Sequence, residues 1–112
     1  MSSEVLKIAT FQVSPHHYIN GQRIASDVLF DLHSPIDQSL LGQISEGTAE
    51  HVYMAIQAAQ KAFPDWSALT AAERKPYLDR FAAEIGKRAD AFCQLESNDA
   101  GVLLSRMNHG VV

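Results

Sequence analysis

One short stretch of the chain places a cysteine close to two carboxylates. In AFCQLESNDAG, residues 91–101, Cys93 lies three residues before Glu96 and six before Asp99. A thiolate attacks a carbonyl carbon readily once a neighbouring base has removed the proton of the thiol. The spacing therefore raises the hypothesis of a catalytic cysteine with its general base. Glu96 and Asp99 share one face if the stretch is helical.

The surrounding pattern favours a structural role for Cys93. The thiol follows Ile85 by eight residues and Ala89 by four, which places it at the border of an apolar helical stripe. A buried cysteine behaves as a small hydrophobic residue, and apolar burial raises the pKa of a thiol. Activation needs a cationic neighbour or a helix N-terminus, whereas Cys93 is expected near the far end of its helix. We therefore expect an inert cysteine beside a solvated carboxylate pair.

The other residues that could carry chemistry form no recognisable site. His16 and His17 are consecutive and point to opposite sides of an extended segment, so they cannot share a metal. The remaining histidines, His33, His51 and His109, have no second histidine or cysteine three or four residues away. Neither a G-x-S-x-G nor a G-x-G stretch occurs, so the usual signals of a serine nucleophile and of a phosphate-binding turn are missing.

Composition and charge exclude several classes of protein. The 112 residues are 46% apolar and 20% charged, an ordinary balance for one globular domain or part of one. The net charge of −4 and the scattered basic residues give no footprint for nucleic acid. No stretch approaches the roughly 18 apolar residues of a membrane helix. The single cysteine fits a reducing compartment, so we expect a cytoplasmic protein without nucleic-acid or membrane partners.

Residues 17–45 predict a small antiparallel β-meander. Asn20-Gly21 lies between two short β-type runs, and this pair is a strong hairpin signal because both turn positions favour positive φ. The next run, VLFDLHSP, alternates an apolar face with a mixed one. The turn sequence PIDQS then separates it from a third run, LLGQIS.

Residues 48–100 change to a helical period and predict two long amphipathic helices. Thr48 is the expected N-cap of the first helix. Pro64 disfavours helical geometry in the residue before it, so this helix is expected to stop at Phe63.

The second predicted helix carries signals of both initiation and interruption. Thr70-Ala-Ala-Glu73 is a capping box. Pro76 removes one backbone hydrogen bond, so we expect a bend there or a later start. Gly86 weakens a helix by about 1 kcal/mol relative to alanine and marks a candidate break. Residues 101–112 are expected to begin a further element.

Several short motifs occur in a distinctive order along the chain. HYINGQ and FDLHSPID are followed by A-x-x-A-A-x-x-A-F-x-x-W, by E-R-x-x-x-L and by L-E-x-x-D-x-G. Each motif is weak alone, but this order and spacing resembles the N-terminal segment of NAD(P)-dependent aldehyde dehydrogenases. The resemblance covers about residues 17–101. Val102 stands where that family often has lysine, and the tail resembles the hydroxymuconic-semialdehyde and aromatic-aldehyde branches, which leaves the subgroup open.

The resemblance implies an α/β fold in which residues 1–112 form a truncated domain. The chain would be the N-terminal part of a coenzyme-binding domain whose Rossmann core is itself absent here. The parent enzyme would oxidise an aldehyde to a carboxylic acid with NAD or NADP through a cysteine thiohemiacetal, and would be a homo-oligomer. Its catalytic cysteine, glutamate and asparagine and its nicotinamide-binding turn would lie beyond position 112. Cys93 matches none of them, so the chain alone is expected to be inactive and to bind no cofactor.

The resemblance also implies one ion site in this region. Some family members bind a monovalent cation, whose ligands would map onto the main chain of Leu32 and His33 and onto Asp99. Carbonyl and carboxylate oxygens suit a hard cation. The alternative is that Asp99 caps the end of its helix or bonds the nearby strand.

Two further function classes stay open. The chain could be a non-catalytic structural or interaction module that pairs with a full-length dehydrogenase through its apolar stripes. It could also be a small metal- or redox-responsive protein that uses Cys93 and the histidines, although no ligand spacing supports that use.

Overall fold

The computed structural model describes residues 6–8 and 11–107, in which six short strands are followed by helices. The strands are β1 (Leu6–Ile8), β2 (Phe11–Val13), β3 (His17–Ile19), β4 (Gln22–Ile24), β5 (Leu29–His33) and β6 (Leu40–Ser45). The helices are α1 (Ala49–Ala68), α2 (Ala71–Lys87), α3 (Ala89–Ala100) and α4 (Leu104–Met107). The expected α/β class, with antiparallel strands before helices, is confirmed.

Within the described residues the strands form three separate antiparallel hairpins, β1–β2, β3–β4 and β5–β6. The expected antiparallel pairing is present, but β4 does not continue into β5 as a meander would require. The reason is that the connection between them bonds to the end of β6 instead. The N–H of Ser26 donates to Ser45 Oγ (3.4 Å), and the N–H of Glu46 donates to the carbonyl of Val28 (2.9 Å).

The β3–β4 hairpin has the turn that its sequence predicts. Asn20 and Gly21 have φ values of 52° and 75° and form a two-residue loop. Positive φ at both central positions is the geometry that matches the twist of the flanking strands. The hairpin prediction is therefore confirmed.

The β1–β2 hairpin is an element that the sequence analysis missed. Leu6 and Ile8 on β1 are two of the three buried apolar residues among those described. β1 lies against β6, where Gly42 has a φ of 147°, and a Cβ added at Gly42 would collide with the side chain of Leu6. Gly42 is therefore required both for its backbone conformation and for the close approach of β1.

The start of α1 is capped as predicted, although by an unexpected partner. Thr48 Oγ accepts a hydrogen bond from the N–H of His51 (3.4 Å), and His51 Nδ1 accepts one from the N–H of Thr48 (3.1 Å). A capping box normally uses glutamate or glutamine at the position that His51 occupies.

The predicted end of α1 at Phe63 is wrong, because the helix continues through Pro64 to Ala68. Side chains supply partners for the carbonyl groups of this last part. Ser67 Oγ donates to the carbonyl of Pro64 (3.0 Å). The guanidinium of Arg74 donates to the carbonyl of Ser67 (3.1 Å) and to that of the residue before it (3.2 Å).

α2 starts where the capping box predicts and not at a later position set by the proline. Glu73 Oε2 accepts from the N–H of Thr70 (2.7 Å), and Thr70 Oγ1 accepts from the N–H of Glu73 (3.3 Å). The alternative of a later start is wrong, since α2 begins at Ala71 and includes Pro76. The box fixes the first turn, and the proline removes only one backbone bond downstream of it.

The break suggested by Gly86 is confirmed, so the second predicted helix is two helices. α2 ends at Lys87, α3 begins at Ala89, and Arg88 lies between them. Cys93 is consequently the fifth residue of α3. The expectation that it lies near the far end of its helix is therefore wrong.

The described residues bury few side chains. Cys93 is 5% exposed, as expected for a structural thiol, but α1 and α2 contain no buried residue. Large apolar side chains on these helices stay exposed, with Phe63 at 66% and Phe81 at 67%. None of the described helices is both long and apolar enough to cross a membrane.

We expect part of the acid sensitivity of the fold to come from Glu73. The N–H of Thr70, and then its hydroxyl, hold the pKa of Glu73 below its ordinary value of 4.5. A lowered pKa in the folded state stabilises the fold above the unfolded value, and this contribution is lost as the pH falls through the folded value. Glu73→Gln keeps an acceptor oxygen but cannot titrate. Thermal unfolding of the variant should therefore depend less on pH below 4.5 than that of the wild type, and parallel curves would contradict the coupling.

Candidate functional site

A cavity of about 540 Å³ lies between the strands and α3. Its walls are mainly apolar and include Ile8, Leu32 and Phe92. Six polar or charged residues also line it: Ser14, His16, His17, Ser45, Glu96 and Asp99. Glu96 and Asp99, two of the three residues with which the sequence analysis began, therefore line one cavity.

The structure separates Cys93 from the two carboxylates. Glu96 and Asp99 lie one turn apart on α3 and both line the cavity, whereas Cys93 does not. Among the described residues, no hydrogen bond joins the thiol to either carboxylate, and Cys93 is a free, buried cysteine. A nucleophile needs access to substrate and a base within reach. The arrangement offers neither, which agrees with a packing role.

Gly101 holds the end of α3 against the β5–β6 hairpin. It has a φ of 72°, and its N–H donates to the carbonyl of Ser97 (3.0 Å). A Cβ at Gly101 would lie 3.4 Å from Pro35 Cγ, just past the end of β5. The glycine of the D-x-G motif thus ends the helix in the left-handed conformation and brings Asp99 near that strand end.

The β5–β6 ladder is interrupted where the cation ligands were expected. Leu32 pairs with Gly42, but His33 pairs with Leu40, so the register shifts between Leu32 and His33. Such a bulge disrupts the ladder hydrogen bonds locally. Leu32 and Asp99 line the same cavity, whereas His33 is outside its lining and is exposed.

The donor set of this region fits a hard monovalent cation. Main-chain carbonyls at an interrupted ladder and an exposed carboxylate are oxygen ligands of the kind that such ions prefer. Asp99 makes no hydrogen bond to the residues that the structure describes, and α3 is ended by Gly101. The cation site and the capping alternative both remain predictions.

The histidines have separate structural partners. His16 Nδ1 lies 3.4 Å from Ser45 Oγ, whereas the ring of His17 lies 4.6 Å from that of His51. Nowhere in residues 6–8 and 11–107 do three or more histidine, cysteine, aspartate or glutamate side chains form a metal-binding group. His109 lies outside the described residues. Sequence reasoning missed the roles of His16 and His51, although the position three residues after Thr48 was a usable signal for His51.

Comparison with protein families gives one clear result. The model of the aldehyde dehydrogenase family matches residues 23–112. Among curated proteins, the chain is 36% identical over 85 residues to the 2-aminomuconic semialdehyde dehydrogenase of Danio rerio, which covers 76% of this chain and 18% of the relative.

Solved structures of other proteins share this fold. HpcC from Thermus thermophilus superposes with a TM-score of 0.82 at 35% identity, over 87% of this chain and 19% of that one. The betaine aldehyde dehydrogenase of Staphylococcus aureus, solved in complex with NAD+, gives 0.81 at 31% identity, over 88% and 20%. The chain therefore spans about a fifth of the length of these relatives and corresponds to their N-terminal part.

Two glycine substitutions should change stability in opposite directions. Gly101→Ala forces a Cβ into a left-handed residue, which costs about 1–2 kcal/mol. Gly86→Ala is the matched control, because the space around its Cβ is open and the residue lies within α2. Alanine there should raise the free energy of unfolding by about 1 kcal/mol. Chemical denaturation of both variants tests this, and a Gly101→Ala variant as stable as the wild type would contradict the assigned role of Gly101.

Proposed function

The chain belongs to the aldehyde dehydrogenase family, and we propose that it is the N-terminal part of the coenzyme-binding domain of an NAD(P)-dependent oxidoreductase. The observation that carries this proposal is the TM-score of 0.81, over 88% of the chain at 31% identity, to a betaine aldehyde dehydrogenase solved in complex with NAD+. The proposed parent converts an aldehyde to a carboxylic acid. A cysteine forms a thiohemiacetal, a hydride passes to NAD or NADP, and water releases the acid from the thioester.

In this proposal the chain supplies scaffold and not catalytic groups. Cys93 is buried outside the cavity, so the nucleophile, its base and the nicotinamide site come from other parts of the parent. The relatives are named for 2-aminomuconic semialdehyde and for betaine aldehyde, two chemically different compounds, so no particular aldehyde is assigned. A cytoplasmic location and a homo-oligomeric parent belong to the proposal as well.

The purified 112-residue chain should produce no NAD(P)H from aldehydes, because its single cysteine is buried and has no access to substrate. Nicotinamide absorbance with a panel of aliphatic and aromatic aldehydes, with either coenzyme, measures this. Cys93→Ala is the control variant. Turnover that survives purification and disappears in Cys93→Ala would overturn the assignment of the thiol, and turnover that persists in that variant would overturn the proposed inactivity.

A second candidate function is a non-catalytic module that pairs with a full-length dehydrogenase. The exposed apolar side chains of α1 and α2 favour it, because surfaces of this kind commonly mark protein contacts. Co-expression of the tagged chain with an intact dehydrogenase separates the alternatives. Co-purification at a fixed stoichiometry supports the module, and free chain together with an unmodified dehydrogenase oligomer argues against it.

We propose in addition that Asp99 and the main chain of Leu32 and His33 contribute to a monovalent cation site. At a cation concentration of about ten times Kd, binding would stabilise the fold by about 1.4 kcal/mol. The temperature of thermal unfolding should therefore be higher in sodium or potassium chloride than in choline chloride at equal ionic strength. Asp99→Asn should lose the difference, whereas Glu96→Gln, in the same cavity, should keep it. Equal unfolding temperatures of the wild-type chain in all three salts would refute the site.

A further inference from the structure

The N-terminal cap of α1 depends on one lone pair of His51. Its Nδ1 accepts from the N–H of Thr48 at 3.1 Å and lies 3.0 Å from Thr48 Oγ1. A backbone N–H can only donate, so Nδ1 must carry no proton and Nε2 must carry the ring hydrogen. The cap therefore requires the neutral imidazole of His51 in a single tautomer.

A second imidazole lies against the first. The rings of His17 and His51 are 4.6 Å apart and tilted by 45°, and both residues are half-buried. His17 Nε2 lies 3.3 Å from the carbonyl oxygen of Glu46. Because a carbonyl only accepts, Nε2 of His17 carries a hydrogen. This contact links β3 to the start of α1.

We propose that Thr48, His51 and His17 form a pH-sensitive latch at the N-terminus of α1. A proton from solvent adds to Nδ1 of His51 and turns the acceptor into a donor. The hydroxyl of Thr48 can rotate to accept the new N–H, but the backbone N–H of Thr48 cannot, so it loses its partner.

Two carboxylates near the N-terminus of α1 attract positive charge, but this attraction is weaker than the effect of losing the cap bond. Glu46 and Glu50 flank the cap, and both side chains are exposed. Among the residues that the structure describes, no ion pair joins either carboxylate to His17 or His51. Exposed charges beyond contact distance are screened by salt, whereas the cap bond is direct at 3.1 Å.

Opening of the latch would affect two elements at once. The first turn of α1 would lose the acceptor for its capping residue, and β3 would lose its stacking contact with that turn. Acidification from about pH 8 to about pH 5, the range in which histidines commonly titrate, should therefore loosen the β3–β4 hairpin from α1.

Thermal unfolding of the full chain tests the latch. The loss of a cap should lower Tm by about 5 °C between about pH 8 and about pH 5. His51→Gln should remove this decrease, because glutamine at the same position offers an acceptor oxygen at every pH. Thr48→Ser, which keeps both the hydroxyl and the backbone N–H that face His51 Nδ1, should keep it. A His51→Gln variant with the wild-type pH dependence would overturn the proposal.

A second measurement decides the matter if the variant does not fold. In the wild-type chain, ring ¹⁵N shifts should show Nδ1 of His51 unprotonated at about pH 8. The amide proton of Thr48 should then shift together with the titration of His51. A protonated Nδ1 at about pH 8, or a Thr48 amide that does not respond, would refute the latch.

Discussion

The junction at Ser45, the last residue of β6, is the constraint on which the strand half depends. A single two-stranded hairpin is marginal in water, and this chain has three that share no ladder within the described residues. The N–H of Ser45 donates to the carbonyl of Pro15 (3.0 Å), and its hydroxyl accepts from the N–H of Ser26 (3.4 Å) and meets His16. One residue thus ties the connections before β3 and before β5 to β6. Because Ser45 is buried, these hydrogen bonds are sheltered from competing water.

The second half is joined to the first through glycine geometry more than through a large core. Gly42 lets Leu6 approach β6, and Gly101 lets α3 end against Pro35. Leu6 lines the same cavity as Leu32 and Asp99 of the proposed cation site. α1 and α2 bury no side chain fully, so their fit to the parent enzyme would be determined by exposed apolar faces.

Local signals predicted local structure well, and long-range partners account for the errors. The Asn20-Gly21 turn and the Gly86 break could be predicted because a turn or a break depends on the backbone preferences of a few residues. The end of α1 could not be predicted from the local sequence, because Arg74 on the next helix donates hydrogen bonds to two of its last carbonyls. β1 and β2 have three residues each, too few for a periodic pattern, and their burial depends on β6. The link between Leu32 and Asp99 came from family resemblance and not from spacing, because the two lie 67 residues apart (99 − 32).

The contact between Gly101 and Pro35 also bears on the order in which the chain acquires its structure. These residues are 66 positions apart (101 − 35), whereas each hairpin and each helix joins near neighbours in sequence. Closing a long loop has a larger entropic cost than closing a short one, and this cost precedes the contacts that offset it. Hairpins and helices are therefore expected to form early, and α3 is expected to dock on the β5–β6 end late. In that order of events the cavity, with one wall made by α3, would be complete only after the last step.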